Sequence, residues 1–142
     1  MLQRLRERSG SESGFTLVEL LVVMLILGIL AAIAIPSFFN QRDKARDADA
    51  KATAKSAQTA IETYATENNG SYADASAERL NEIEETIPVA DITVASTPET
   101  YTVTANSPTG NSFSVSREEG GAFSLTCENE GDAGCPEDGL WD

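Results

Sequence analysis

The chain has no histidine and only two cysteines, Cys127 and Cys135, in 142 residues. Without histidine the commonest general base near neutral pH is missing. Two cysteines alone cannot build a His/Cys metal cluster, and no glycine-rich phosphate loop follows a strand pattern. Positive charge is also scarce, with 10 Lys and Arg against 23 Asp and Glu, a net charge of −13. After Gly70 only Arg79 and Arg117 oppose fifteen carboxylates. Phosphate binding needs positive charge, so this region is read as having no direct nucleic-acid ligand. A solvated, self-repelling surface is the ordinary explanation of such acidity, and a high-salt habitat is another. Nothing in the pattern points to a Ser–Lys or paired-carboxylate site. The chain is therefore read as not an enzyme and as needing no cofactor, with catalysis left to partners.

What is abundant is apolar sequence near the N-terminus. Gly14 is followed by 21 almost wholly apolar residues, Phe15 to Ile35. At about 1.5 Å per residue such a helix spans about 31 Å, close to the roughly 30 Å hydrocarbon thickness of a bilayer. Glu19 lies inside this run, where a carboxylate costs roughly 2.5–3.5 kcal/mol at mid-membrane and less near an end. The run holds no Lys, Arg or His to neutralise it. If the chain were cut after Gly14, Phe15 would carry a new amine one turn from Glu19. A neighbouring copy shifted by one turn would bring the two charges level.

The stretch GFTLVELLVVMLILGILAAIAIPSF, Gly14 to Phe38, resembles the type IV prepilin family, which includes the pseudopilins of secretion and competence systems. The resemblance implies cleavage between Gly14 and Phe15 by a prepilin peptidase and N-methylation of the Phe15 amine. It further implies that Glu19 neutralises the Phe15 amine of an adjacent subunit as a helical homopolymer forms. The other implied partners are membrane lipid before assembly, an assembly platform and, indirectly, the ATPase of that platform. Gly28 and Ala32, four residues apart, form a strip where another helix could approach; small residues are also simply common in membrane helices. Pro36 lacks an amide proton and marks a weak point in the helix, the region where helices of this family stretch in filaments.

Residues 1–14 carry Arg4, Arg6 and Arg8 against Glu7 and Glu12. A basic segment before an apolar one stays cytoplasmic, so residues 1–14 are expected to be a leader that is removed, with the C-terminal part outside. The protein is then a single-pass precursor in the cytoplasmic membrane and later part of a surface filament. An ordinary secretory signal cut after Ala34 is the rival, releasing a soluble binding domain. An apolar core longer than about 7–15 residues and the position of Glu19 oppose it. A membrane-anchored monomer would leave Glu19 unexplained.

Residues 15–36 are thus an assembly helix, continued over 37–70 by an amphipathic stalk, one helix of about 54 residues. In the stalk Ala50, Ala54, Ala57, Ile61 and Tyr64 form a narrow apolar stripe. Arg42, Asp43, Lys44, Arg46, Asp47, Asp49, Lys51 and Lys55 are assigned to the polar face. Asn68-Asn69-Gly70 is a C-terminal stop. Residues 71–142 form an acidic head. A short helix is expected over 75–85, capped by Asp74 or Ser76 and ended by Pro88. Alternating residues then predict strands around Tyr101–Ala105, Phe113–Val115 and Phe123–Cys127, with a fourth over Asp91–Ala95. The fold class is α+β: a long N-terminal helix packed on an antiparallel meander of three to four strands, apolar toward the stalk and Ser/Thr-rich outside.

Cys127 and Cys135 are close enough for a small loop. Export would oxidise them, and pilins often close their C-terminal region this way; two free thiols are the alternative. Metal is expected to be absent, although Glu128, Glu130 and Asp132 offer oxygen ligands that in some pseudopilins would suggest calcium. Their spacing fits no loop with defined ligands. Trp141 is either a plug on the sheet edge or an exposed contact. The chain is read as a subunit of a type IV pilus-like filament serving adhesion, motility or DNA uptake. A pseudopilin of a type II secretion system is the alternative within the family.

Overall fold

Helix α1 runs from Leu17 to Glu67, 51 residues, with Pro36 inside it. The computed structural model describes residues 14–142; the expected leader lies almost wholly outside them. The chain divides into two compact units, one ending at Phe38 and the other comprising Phe39–Asp142. In the first, every residue from Gly14 to Phe38 is exposed. This segment thus presents a continuous apolar surface. The helix is long and apolar enough to cross a membrane.

The second unit is built on the C-terminal part of α1. Ala50, Ala54, Ala57, Ala60, Ile61 and Ala65 are buried, with Tyr64 partly so. This is the expected stripe, broadened by Ala60 and Ala65. One assignment fails: Asp47 is not on the polar face but fully buried. The helix stops where expected, since the Gly70 N–H donates to the Ala65 carbonyl at 2.7 Å. Gly70 reaches that carbonyl at φ +83°, a conformation glycine adopts without a Cβ penalty.

Helix α2 is shorter than expected, Ala77–Ile83, and Ser76 is its N-cap, its hydroxyl accepting the Arg79 N–H. Pro88 does not end it; the helix stops at Ile83, and Pro88 instead precedes a single 3-10 turn, Val89–Asp91. Four strands follow: β1 Ile92–Ser96, β2 Tyr101–Asn106, β3 Ser112–Arg117 and β4 Phe123–Cys127. They pair antiparallel in sequence order, so all four members of the meander form. Tyr101, Val103 and Ala105 on β2 and Phe113 and Val115 on β3 are buried. The opposite face carries hydroxyls that bond across the strands, Thr102 to Ser116 at 2.9 Å and Thr104 to Ser114 at 2.8 Å. Period-two alternation thus separates a dry face from a wet one.

The tail covers part of the β4 edge. The Cys127 N–H donates to the Gly139 carbonyl and the Trp141 N–H to the Leu125 carbonyl. The Trp141 indole N–H donates to the Thr126 carbonyl at 2.8 Å, and its ring meets Phe113 edge-on at 5.8 Å. Trp141 is therefore the plug.

Candidate functional site

Gly14, Phe15 and Thr16 precede the helix, and the Phe15 side chain is 83% exposed. A Cβ built on Gly14 would meet nothing within 4 Å among the described residues. Helix α1 begins with a reciprocal cap. The Thr16 N–H donates to Glu19 Oε2 at 2.8 Å, and the Glu19 N–H donates to Thr16 Oγ1 at 3.1 Å. This is a capping box: each side chain satisfies an amide that the first turn leaves without a helical acceptor. A carboxylate there also sits favourably at the positive end of the helix. Glu19 thus has a local partner that the charge argument overlooked. Thr16-Leu17-Val18-Glu19 displays the capping spacing, so the signal was present. Among the described residues Glu19 Oε1 accepts no hydrogen bond, which leaves one oxygen open.

Gly28 and Pro36 lie within α1 in the same exposed unit. No atom approaches a Cβ built on Gly28 within 4 Å, so its bare backbone is an open strip. Pro36 provides no donor for the Ala32 carbonyl.

In the second unit two carboxylates of α1 tie the helix to the head. Asp47 Oδ1 accepts from Thr109 Oγ1 at 2.5 Å. Its Oδ2 accepts from Asn111 Nδ2 at 2.7 Å and from the Gly134 N–H at 2.8 Å. Among the described residues no cation takes part. Burial pushes the carboxyl up, but bonds from Ser107, Thr109, Gly134 and Asn111 outweigh it and hold the group below its ordinary value. Gly134 approaches so closely that an added Cβ would lie 2.5 Å from Asp47 Cβ.

Further along α1, Glu62 accepts from the Tyr72 hydroxyl at 2.8 Å, the Tyr101 hydroxyl at 2.9 Å and Arg117 at 3.3 Å. Burial first, then the bond to Glu62, raises both tyrosines above the ordinary phenol value. Sequence reasoning identified neither hub.

Cys127 and Cys135 are joined by a disulfide, closing the loop that presents Gly134 to Asp47. Glu128, Glu130 and Asp132 are exposed. Among the described residues no three His, Cys, Asp or Glu side chains are placed to share a metal ion.

Comparison with known proteins points to the N-terminal segment. Residues 10–35 match a family model described as the prokaryotic N-terminal methylation motif. Over 57 residues the chain is 42% identical to the type II secretion system core protein G of Pseudomonas aeruginosa, covering 40% of either protein. Over 56 residues it is 43% identical to the type IV major pilin protein PilA of Myxococcus xanthus, covering 39% of this chain and 26% of that one. Over 47 residues it is 49% identical to the type IV narrow pilus major component PilA5 of Thermus thermophilus, covering 33% and 40%. The matched part spans less than half the length of each relative. These relatives are named as pilus and secretion components, and none is named for a catalytic activity. No solved structure matches the chain.

Proposed function

We propose that this chain, similar in its N-terminal segment to type IV pilins and a type II secretion core protein, is a member of the type IV pilin-like family and a structural subunit of a type IV pilus-like filament. The observation that carries this is the membrane-length, fully exposed apolar helix headed by Gly14-Phe15 and holding Glu19. Left in water, such a surface is costly at about 25 cal/mol per Å²; lipid first and like helices later provide its burial. The precursor spans the cytoplasmic membrane with residues 1–14 inside, is cut after Gly14 by a prepilin peptidase and is methylated at Phe15. Extraction by the assembly platform and its ATPase then transfers the helix into a bundle of copies. There Glu19 Oε1 meets the Phe15 amine of a neighbour while Oε2 keeps its own Thr16 cap. Gly28 permits close helix approach, and Pro36 gives the helix room to stretch. The chain has no catalytic part of its own in this scheme.

The test is the mature N-terminus, read by mass spectrometry on protein from the native host. A start at N-methylated Phe15 is expected, whereas a start at Ile35 would make the chain a secreted soluble domain. The Glu19→Ala protein is expected to insert and be cleaved normally while its filament yield collapses; normal filaments would defeat the pairing. The likeness to a type II secretion core protein keeps a second reading, a pseudopilin. Deletion that stops protein export without removing long surface filaments would favour it.

A further inference from the structure

Within Phe39–Asp142 the described large apolar side chains that stay exposed are Phe39, Phe123 and Leu140. Phe123 and Leu140 lie together in an open cleft of about 480 Å³ beside β4. The topology explains it: β4 is the last strand of the sheet, and the described tail pairs with it only through Gly139, Leu140 and Trp141. Leu125 and Trp141 also line the cleft, together with the carboxylates of Asp138 and Asp142. Neither carboxylate is in an ion pair among the described residues. Same-chain cations lie over its aromatic walls, Arg117 over Phe123 at 5.4 Å and Lys51 and Lys55 over Trp141, and its two carboxylates can accept a further cation carried on an apolar group.

We infer that this cleft is the docking place for the stalk base, Phe39 to Lys44, of a second copy of this chain; the inference rests on the filament reading above. The stalk base supplies the matching chemistry. Phe39 is 47% exposed and the Arg42 guanidinium lies over its ring at 5.1 Å. Lys44 is exposed beside them. Of the other five described cations of this unit, three are in ion pairs and two, like Arg42, lie over an aromatic ring. Arg117 pairs with Glu62, Arg79 with Glu82 and Arg46 with Asp43, while Lys51 and Lys55 sit over Trp141 in the same chain. Among the described residues Arg42 and Lys44 meet no carboxylate in an ion pair. Two heads, each with fifteen carboxylates after Gly70 against two arginines, repel one another across most of their surfaces. The stalk base is where one copy can approach the acidic head of another with attraction. An aromatic side chain seated in the cleft adds burial to that charge match.

The test uses the full chain in a host that assembles filaments. A photo-crosslinking p-benzoylphenylalanine in place of Phe123 is expected to join two copies, with the crosslink mapping to residues 39–46 of the second. Arg42→Glu and Asp138→Arg are each expected to lower the yield of sheared filaments severalfold, more so at low salt, and the two together to restore it. A crosslink elsewhere on the chain, a crosslink to a different protein, or no crosslink within intact filaments would overturn the inference. So would single reversals that assemble as the wild type does. If the unaltered chain itself forms no filament, the filament reading fails, and the docking falls with it.

Discussion

Replacing Asp47 tests how the head is held to the helix. The carboxylate is 0% exposed and its three donors lie at 2.5, 2.7 and 2.8 Å. Asp47→Ala leaves those donors buried without an acceptor, at about 1–3 kcal/mol each. Thr109 already reaches Ser107 Oγ at 3.0 Å, so its loss is partly covered and the total is about 3–5 kcal/mol. Asp47→Asn keeps one acceptor oxygen for Asn111 and Gly134, loses the charge and sets an amide NH2 against Thr109, whose hydroxyl can turn to Ser107, costing about 1–2 kcal/mol. The pH dependence follows from the lowered pKa. A carboxyl held below its ordinary 3.8 contributes stability that is present above that value and lost as pH falls through the folded-state pKa. The gap between wild type and Asp47→Asn should therefore be flat near neutrality and narrow below about pH 3.8. Urea unfolding of the full chain in detergent reads both effects through the fluorescence of Trp141, its single tryptophan. An alanine variant within about 0.5 kcal/mol of wild type, or an asparagine gap unchanged into acid, would refute the reasoning.

Gly134→Ala forces a Cβ to within 2.5 Å of Asp47 Cβ and should cost about 1–3 kcal/mol by the same assay. Its effect should shrink when Asp47 is already glycine, which lacks that Cβ; full additivity would count against the contact. Glu62→Gln removes the charge that raises Tyr101, so the alkaline absorbance titration of this phenol should move down; an unmoved curve would show that burial alone sets it. The Glu62–Arg117 pair is about a third exposed on both sides, and screening keeps its share of stability small. Replacing Cys127 and Cys135 together by serine opens a loop of eight residues' separation and should lower stability by about 2.5 kcal/mol in the chain-entropy model. It should also loosen the loop that carries Gly134. A change below about 0.5 kcal/mol would mean the loop is held by Asp47 rather than by the bond.

Much of the head was legible because β2 alternates cleanly, whereas β4 departs from the pattern, its Phe123 being exposed. Tyr101, Val103 and Ala105 face inward and the threonines between them face outward, as period two requires. The boundaries of α2 were less legible. Alanine and serine at 75–77 fit a helix or its cap equally well, and only the Ser76 bond to the Arg79 amide fixes the start. Asp47 was misread for a different reason. It lies in phase with Ala50, Ala54, Ala57 and Ile61, one step earlier in their three-and-four spacing. Residue type then overrode position, because a carboxylate without a visible partner belongs in water. Its partners Thr109, Asn111 and Gly134 are 62, 64 and 87 residues away, beyond any local pattern.

The separation of Asp47 and Glu62 along α1 bears on how the sheet finds its place. Fifteen positions of helix put them about 22 Å apart, and between them the buried residues are Ala50, Ala54, Ala57, Ala60 and Ile61. An alanine stripe allows the sheet to lie close, but alanines one turn apart are nearly interchangeable. Slipping the sheet by one turn would exchange one methyl contact for another at little cost. The two carboxylates remove that freedom. A slip of about 5.4 Å would strand the donors of Asp47 and, at the other end, part Tyr72 and Tyr101 from Glu62. Each loss carries the penalty of a buried, unsatisfied polar group. On this reasoning the stripe supplies proximity and the pair of acids supplies register, because no local property of alanine distinguishes one turn of the stalk from the next.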